Sequence, residues 1–449
     1  MNRSLVQLKV VFVLASAMFL INAHVNEQPY LEDLSFDITG NIKSESRSEL
    51  VKPRKVVFVI VDGIPADVIE KVATPALDLI AKQGRYLRAT VGGKKNSYSE
   101  TPTISAVGYN SLLTGTWVNK HNVWDNDIAK PNYHYPTIFR LFKDQYPGKK
   151  TGVFSSWEDN RTKLVGEGLE MSKGLKIDFV FDGLENDTIK YPHDSARKYI
   201  HLIDEDVVNK AAETIVNHGP DLSWIYLEYT DDMGHMFGDS EPFYNAVRIM
   251  DKQVSRLWSS IQSRAKAKGE EWQIYITTDH GRDSISGKGH GRQSDRERST
   301  WIVTNAPDVN NYYNKNKPAI VDIMPSIARF MNIAIPRSQL MEIDGTSLTG
   351  KLSAVNPSAI LEKNKIVVRW DALEKTGKAK IWIATENNYR LGIPDKYLLA
   401  ATVPLAGQQA SVDLTANKSR FYKIVIETQE NFLNCWAGED LAGLVQQYK

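Results

Sequence analysis

The chain of 449 residues contains a single cysteine, Cys435. One thiol cannot form a disulfide within its own chain, so the protein must draw its stability from a large hydrophobic core. The 55 basic and 54 acidic residues give a net charge of +1, which argues against a nucleic-acid duplex or an anionic membrane surface as partner. Any attraction for anions must therefore be local, from bound metal ions or a few side chains.

Long apolar runs are also scarce. The segment Val10–Ala23 is apolar and follows two cations, but it is shorter than the roughly 20 residues that cross a membrane as a helix. It predicts a secretory signal peptide over residues 1–23, with an uncleaved membrane anchor as the alternative. Residues 24–52 then form an N-terminal extension. We expect a bacterial protein that is exported, periplasmic or secreted, without a stable membrane span once the signal is removed.

In the rest of the chain, the pattern of predicted helices and strands changes near residue 350. Over residues 53–350, β-rich apolar runs alternate with amphipathic segments, which predicts a three-layer αβα domain around a mostly parallel sheet. Helical spacing of apolar residues predicts helices over Ile64–Gly84, Tyr244–Ala265 and Ile323–Met331. Residues 355–449 predict a small all-β sandwich that resembles a fibronectin type III-like module in its strand spacing. Its predicted strands are Lys365–Leu373, Ala379–Thr385, Tyr397–Pro404, Ala410–Leu414 and Arg420–Thr428.

Three apolar runs of the first domain end on an aspartate. They are Val56–Asp62, Trp224–Asp231 and Gln273–Asp279, and each predicts a buried strand. Ligands of open α/β sheets bind just beyond the carboxyl ends of the strands. We therefore expect these three carboxylates to meet at one edge of the sheet.

Histidines lie close to two of these aspartates. His235 follows the second aspartate by four residues, His280 directly follows the third, and His290 lies between two glycines just downstream. Any one of these side chains alone is better explained as a helix cap or a core residue. Together they predict a site for two divalent metal ions, with Zn²⁺ first and Mn²⁺ or Fe as alternatives. Asp232 is left out, because on an extended backbone it would point the other way.

A segment rich in hydroxyl groups lies between the first two aspartates. Thr101–Gly115 reads TPTISAVGYNSLLTG, and a KHNV stretch follows it before D-x-x-G-H, TDHG and GHG. In this order the motifs resemble those of the alkaline phosphatase superfamily, in its type I phosphodiesterase/nucleotide pyrophosphatase branch. The resemblance covers roughly residues 55–350. It implies a hydrolase of small phosphodiesters or pyrophosphates.

The resemblance also implies roles for individual residues. Counting back ten residues from Gly115 gives Ser105 as the nucleophile that forms a phosphoseryl intermediate, with Thr103 as the alternative. Counting forward from Ser105 gives Asn126 as the residue that holds a phosphoryl oxygen. One metal would be bound by Asp231, His235 and His290. The other would be bound by Asp62, Asp279 and His280, with Ser105.

Several features leave the substrate open. Ala106 follows Ser105 where nucleotide-cleaving relatives have a base-stacking Phe, which puts nucleotide preference in doubt. In the segment 155–163, Trp157 favours a diesterase, whereas Arg161 and Lys163 favour a phosphomonoesterase. A sulfatase is discounted because the segment after Ser105 lacks the Pro and Arg that its modified nucleophile requires.

A catalytically inactive surface- or glycan-binding protein is the alternative from another class. Its candidate binding residues are Trp370, Trp382 and Trp436. The oligomeric state is left open.

Overall fold

The structure is a computed structural model, and it describes residues 52–415 and 418–448. The predicted signal peptide, and the N-terminal extension as far as residue 51, lie outside the described residues. Among the described residues, no helix combines the length and the apolar character needed to cross a membrane.

Seven strands of the described chain form one central sheet in the order β2-β7-β6-β1-β5-β3-β4. Pairing is parallel from β6 across to β4, and only β7 runs antiparallel to its neighbours β6 and β2. The predicted mostly parallel sheet is therefore confirmed. The strands are β1 (Arg54–Val61), β2 (Arg85–Thr90), β3 (Thr151–Ser155), β4 (Phe179–Phe181), β5 (Leu222–Leu227), β6 (Glu271–Thr277) and β7 (Ser299–Thr304).

Helices cover both faces of this sheet. Along β1 alternate residues belong to two separate hydrophobic clusters, with Phe58 in one and Val59 in the other. A strand that is buried on both faces is typical of a three-layer αβα fold. The described helices are α1 (Ala66–Lys71), α2 (Pro75–Ala81), α3 (Ser105–Thr114), α4 (Val118–His121), α5 (Ile138–Gln145), α6 (Lys198–Asn217), α7 (Tyr229–Phe237), α8 (Glu241–Lys268), α9 (Ile323–Phe330), α10 (Arg337–Leu340) and α11 (Leu441–Gln446).

The C-terminal part is a β-sandwich, as predicted. Its described strands form two antiparallel sheets, β11-β10-β13-β14 and β12-β9-β8, which share one hydrophobic cluster. Trp370 and Trp436 are buried, so neither offers an exposed surface for a glycan. The strands are β8 (Ala354–Glu362), β9 (Lys365–Ala372), β10 (Lys378–Ala384), β11 (Leu398–Pro404), β12 (Gln409–Asp413), β13 (Phe421–Glu427) and β14 (Phe432–Gly438).

A buried ion pair and a hydrogen bond from a second buried lysine join the sandwich to the α/β part. Lys423 of β13 is 2% exposed, and its Nζ lies 2.5 Å from Glu342 Oε1. Lys120 of α4 donates over 2.6 Å to Asp344 Oδ1 and over 2.6 Å to Asn434 Oδ1 of β14. Residues 52–448 belong to one compact unit. The predicted division into domains at 53–350 and 355–449 stays a prediction.

Two local predictions were wrong. The helix expected over Ile64–Gly84 is split into α1 and α2, because Pro75 disfavours helical backbone at Thr74 and lacks an amide N–H. The strand expected to reach Asp231 ends at Leu227, and the chain turns directly into α7. Six described strands had no predicted counterpart: β2, β3, β4, β7, β8 and β14.

Candidate metal centre and active site

The three aspartates meet at the carboxyl edge of the sheet. Asp62 directly follows β1 and Asp279 is the second residue after β6. Asp231 is the third residue of α7, on the helix that follows β5. The expected convergence is present, although Asp231 reaches it from a helix rather than from the end of a strand.

One group of possible ligands consists of Asp62, Asp279 and His280. His280 Nε2 lies 3.3 Å from Asp62 Oδ1 and 3.2 Å from Asp279 Oδ2. Both of these carboxylate oxygens are buried and have no hydrogen-bond partner within the described residues. The ligand atoms of the three side chains lie within 4.8 Å of one another. Orphaned buried oxygens around an imidazole nitrogen fit a divalent cation, which supplies the missing partner.

A second group lies beside the first. Asp231, His280 and His290 also have ligand atoms within 4.8 Å of one another. His235 Nε2 lies 3.1 Å from Asp231 Oδ2 and 3.0 Å from His290 Nε2. Residues four apart share one face of a helix, which explains how α7 presents His235 together with Asp231. The geometry therefore brings all six expected side chains together, with His280 between the two groups.

Asp232 lies outside this cluster for a different reason from the one predicted. It is helical rather than extended, and its Oδ2 accepts a 2.7 Å hydrogen bond from Arg197 Nε. One step along a helix turns a side chain by about a third of a turn away from its neighbour.

Burial and neighbouring charges shift the pKa values of the clustered side chains in opposite directions. Burial and the neighbouring Asp231 raise the pKa of Asp62 to about 7. Burial and Asp62 raise the pKa of Asp279 well above its ordinary value. Burial would also raise the pKa of Asp231, but Arg282 and His235 outweigh it, and the net pKa is lowered. Burial and His290 lower the pKa of His280. Close carboxylates beside a neutral imidazole form an environment that a cation stabilises.

Two tyrosines orient Asp62. Tyr109 and Tyr226 both donate hydrogen bonds to Asp62 Oδ2, the second over 2.7 Å. Because these donors occupy one oxygen, Oδ1 faces His280 without a protein donor. Such outer partners fix the orientation of metal-ligating carboxylates. Neither tyrosine was singled out in the sequence, since only the fold brings them to Asp62.

Ser105 lies where a nucleophile is expected. It is the first residue of α3, and its Oγ lies 3.3 Å from His280 Nε2. Asn126 Oδ1 accepts a 3.0 Å hydrogen bond from the Ala106 N–H, which leaves the amide nitrogen of Asn126 for a ligand. The positive end of the α3 dipole favours an anion at this point.

Thr103 is engaged elsewhere. Its hydroxyl donates to the Arg292 carbonyl over 2.7 Å and accepts from the Gly291 N–H over 2.9 Å. The Thr103 carbonyl also lies 2.9 Å from His290 Nδ1. These contacts give Thr103 a structural role in holding the His290 loop and favour Ser105 as the nucleophile.

Arg282 was missed in the sequence. Its side chain is fully buried, and its Nη2 donates to the Asp231 carbonyl over 2.7 Å as well as to Asp231 Oδ1. Its Nε donates to the Gly63 carbonyl over 2.9 Å. A Cβ at Gly234 would lie 2.1 Å from this guanidinium, so the glycine leaves it room. Its position directly after TDHG, next to two candidate metal ligands in the sequence, is the signal that could have identified it.

The two cations that favoured a phosphomonoesterase are paired outside the cluster. Arg161 bonds Asp182 over 2.7 Å and Glu167 over 2.6 Å. Lys163 lies 2.8 Å from Asp159. Trp157 instead packs edge-on against Tyr109, with ring centroids 6.4 Å apart. These contacts pair both cations with carboxylates that are not part of the metal-ligand cluster.

Comparisons with known proteins identify the family of this chain. The model of the family "type I phosphodiesterase / nucleotide pyrophosphatase" matches residues 56–326. GPI ethanolamine phosphate transferase 2 of Schizosaccharomyces pombe is 22% identical over 332 residues, which are 68% of this chain and 40% of that protein. Ectonucleotide pyrophosphatase/phosphodiesterase family member 5 of Homo sapiens is 27% identical over 241 residues, which are 52% of this chain and 46% of that protein.

The chain thus spans less than half the length of these curated relatives. A solved structure of the same human protein is 16% identical, with a TM-score of 0.45. The match covers 63% of this chain and 96% of that one.

Proposed function

Because the chain belongs to the type I phosphodiesterase / nucleotide pyrophosphatase family, we propose that it hydrolyses small phosphodiesters or pyrophosphates with Ser105 as the nucleophile. The observation that carries this proposal is the position of Ser105 Oγ, 3.3 Å from His280 Nε2 at the N-terminus of α3. A hydroxyl at this point faces the carboxylate and imidazole cluster, and the helix dipole favours the incoming phosphoryl anion.

Two divalent cations fit the two groups of ligands. The mixture of carboxylate and imidazole donors favours Zn²⁺. Asp62, Asp279, His280 and the Ser105 hydroxyl would hold one ion, and Asp231, His235 and His290 the other. Bound there, the ions would supply charge stabilisation for the attacking and leaving oxygens. The chain's own residues would position the nucleophile, the phosphoryl group and the metal ligands.

Each residue then has a defined task. Ser105 Oγ attacks phosphorus, the bond to the leaving group breaks, and water hydrolyses the phosphoseryl ester in a second step. Asn126, anchored through the Ala106 N–H, donates its amide nitrogen to a non-bridging oxygen. Tyr109 and Tyr226 keep Asp62 turned toward His280.

A phosphomonoesterase on the same scaffold is the second candidate. Its expected cations, Arg161 and Lys163, are already paired with carboxylates outside the metal-ligand cluster, which weighs against it. We also propose export, which rests on the apolar segment Val10–Ala23. N-terminal sequencing of the protein recovered from cell fractions tests it, and an unprocessed cytoplasmic chain would contradict it.

The substrate proposal is tested by kcat/KM of the zinc-loaded protein on three esters of 4-nitrophenol: the phosphate monoester, the methyl diester and the thymidine 5′-phosphate ester. We expect a preference for the diesters, and no such activity in Ser105→Ala. A gain from thymidine would indicate a base site despite Ala106. Preference for the monoester would make the protein a phosphatase, and no turnover on any ester with both metals bound would contradict the proposal.

A further inference from the structure

A crevice opens beside the candidate metal ligand His290 and extends to the C-terminal helix α11. One cavity, of about 700 Å³, is lined by the segment 96–102, by Gly291–Gln293 and by Ala442 and Gln446 of α11. A second cavity, of about 610 Å³, shares Arg292 and Gln293 with the first and is lined by His290 itself. The crevice therefore runs from a candidate metal ligand toward the sandwich.

Arg292 lies on the wall that the two cavities share. Its backbone is fixed, because its carbonyl accepts from Thr103 Oγ1 over 2.7 Å and its N–H donates to Glu297 Oε1 over 3.0 Å. Its side chain is exposed and makes no ion pair or hydrogen bond with any residue that the structure describes. A guanidinium held two residues from His290, with its donors free, is suited to bind an anion.

The acidic side chains around the crevice are already occupied. Glu297 accepts from the Arg292 and Ser294 N–H groups. Asp283 accepts from the N–H groups of Ser286 and Gly289, and Glu100 accepts from that of Asn96. These carboxylates brace the loops through their backbones, so Arg292 keeps its donors for a ligand.

The C-terminal part forms one wall of the crevice with helix α11 and holds a second wall, the segment 96–102, in position. Tyr98, in the segment that leads to Ser105, stacks on Trp436 of β14 with ring centroids 5.0 Å apart. Helix α11 is anchored at its start by Asp440, whose side chain accepts from the Gly443 N–H over 3.0 Å. The C-terminal part therefore shapes the space next to the reacting centre.

We propose that this crevice binds the part of the substrate that is not transferred to Ser105, and that Arg292 recognises an anionic group on that part. The inference rests on the proposed function, and it defines the substrate class as a phosphoryl ester whose leaving portion carries a second negative charge. Arg292 is then a specificity-determining residue, and the sandwich is part of the substrate site.

A binding experiment tests the proposed anion site independently of hydrolysis. Calorimetry on the metal-loaded Ser105→Ala protein compares methyl phenyl phosphate with methyl 3-carboxyphenyl phosphate, which differ by one carboxylate. We expect the carboxylate ester to bind about fivefold more tightly, as for one exposed charge pair. Adding Arg292→Gln should abolish this preference. Adding Lys82→Gln should preserve the preference. Lys82 is a cation just before β2, at the end of the sheet away from the carboxyl ends that carry the metal ligands.

The outcomes are distinct. Equal binding of the two esters by the Ser105→Ala protein, or a preference that survives Arg292→Gln, overturns the inference. If the preference depends on Arg292 while the unmodified protein turns over neither ester, the anion site stands and the proposed hydrolysis fails.

The wall formed by α11 is tested separately. Ala442 is exposed and lines the first cavity, so Ala442→Trp should fill the crevice without disturbing the core. We expect weaker binding of both aryl esters and unchanged binding of inorganic phosphate, which needs only the metal centre. Unchanged binding of the aryl esters would remove the sandwich from the substrate site.

Discussion

The guanidinium of Arg282 lies against Asp231 at two points, with Nη2 donating to the backbone carbonyl over 2.7 Å and to the carboxylate oxygen Oδ1. The other carboxylate oxygen, Oδ2, lies 3.1 Å from His235 Nε2. Arg282 thereby fixes one oxygen of Asp231 and turns the second toward the metal-binding face. It also reaches the Gly63 carbonyl after β1, so one side chain links the backbones that carry Asp62 and Asp231.

Arg282→Met should therefore weaken both the fold and the centre. Removing one partner of a buried pair leaves an uncompensated charge, and we expect the free energy of unfolding of the metal-free protein to fall by about 3–5 kcal/mol. Zinc stoichiometry should also fall, because Asp231 loses its orientation. Urea unfolding and metal analysis measure the two effects.

The matched control is Arg88→Met, since Arg88 pairs with Glu70 at an exposed site. Exposed pairs contribute at most about 1 kcal/mol, so this variant should lose little stability and keep its zinc. An Arg282→Met protein that behaves like the Arg88→Met protein would show that Arg282 orients nothing.

The positions of the metal-binding residues could be predicted from the sequence because parallel strands end at one edge of a sheet. That rule brought Asp62 and Asp279 together. It failed locally at Asp231, where the buried run of β5 gives way to a helix without a glycine or proline to mark the change. The cluster still formed, since a spacing of four residues also joins Asp231 and His235 on a helix.

The supporting residues could not be predicted in this way. Tyr226 is the penultimate residue of β5 and Tyr109 lies in the middle of α3, and only the packing of α3 against the sheet brings both hydroxyls to Asp62. The edge strand β4 was also missed, because its three residues are too few to show a period.

Replacing the candidate nucleophile distinguishes Ser105 from Thr103. Ser105→Ala should lower turnover of the methyl 4-nitrophenyl diester by at least about a thousandfold, because no hydroxyl remains to form the covalent intermediate. Rapid quenching followed by mass spectrometry should detect a methylphosphoryl group on the unmodified protein, since only 4-nitrophenolate has left, and none on the variant. Bound zinc should remain, since the other ligands are intact.

Thr103→Val is the companion variant. It removes a hydroxyl that bonds the Arg292 carbonyl and the Gly291 N–H, and leaving these groups unpaired should cost about 1–3 kcal/mol of stability. The phosphorylated intermediate should still form. A Thr103→Val protein without the intermediate, beside an active Ser105→Ala protein, would assign the nucleophile to Thr103.

The pH dependence of the metal-free protein follows from Asp62. Its pKa is raised by burial and by Asp231 from 3.8 to about 7. Between these values the folded chain holds a proton that the unfolded chain has released. The contribution of Asp62 to the free energy of unfolding is therefore largest below about pH 4 and falls as the pH rises toward 7. At about 1.4 kcal/mol per unit of pH, Asp62 should account for a loss of roughly 2–3 kcal/mol between pH 5 and pH 7.

Comparing two carboxamide variants isolates this contribution, because burial also raises the pKa of Asp204 and of Asp322 to about 7. The slope of unfolding free energy against pH should become shallower in both Asp62→Asn and Asp322→Asn proteins without metal. Saturating Zn²⁺ should flatten the parent's slope but leave that of Asp62→Asn less changed, because the cation stabilises the charged form of Asp62 alone among these three groups. An equal effect of Zn²⁺ on the parent and on Asp62→Asn would remove Asp62 from the metal centre.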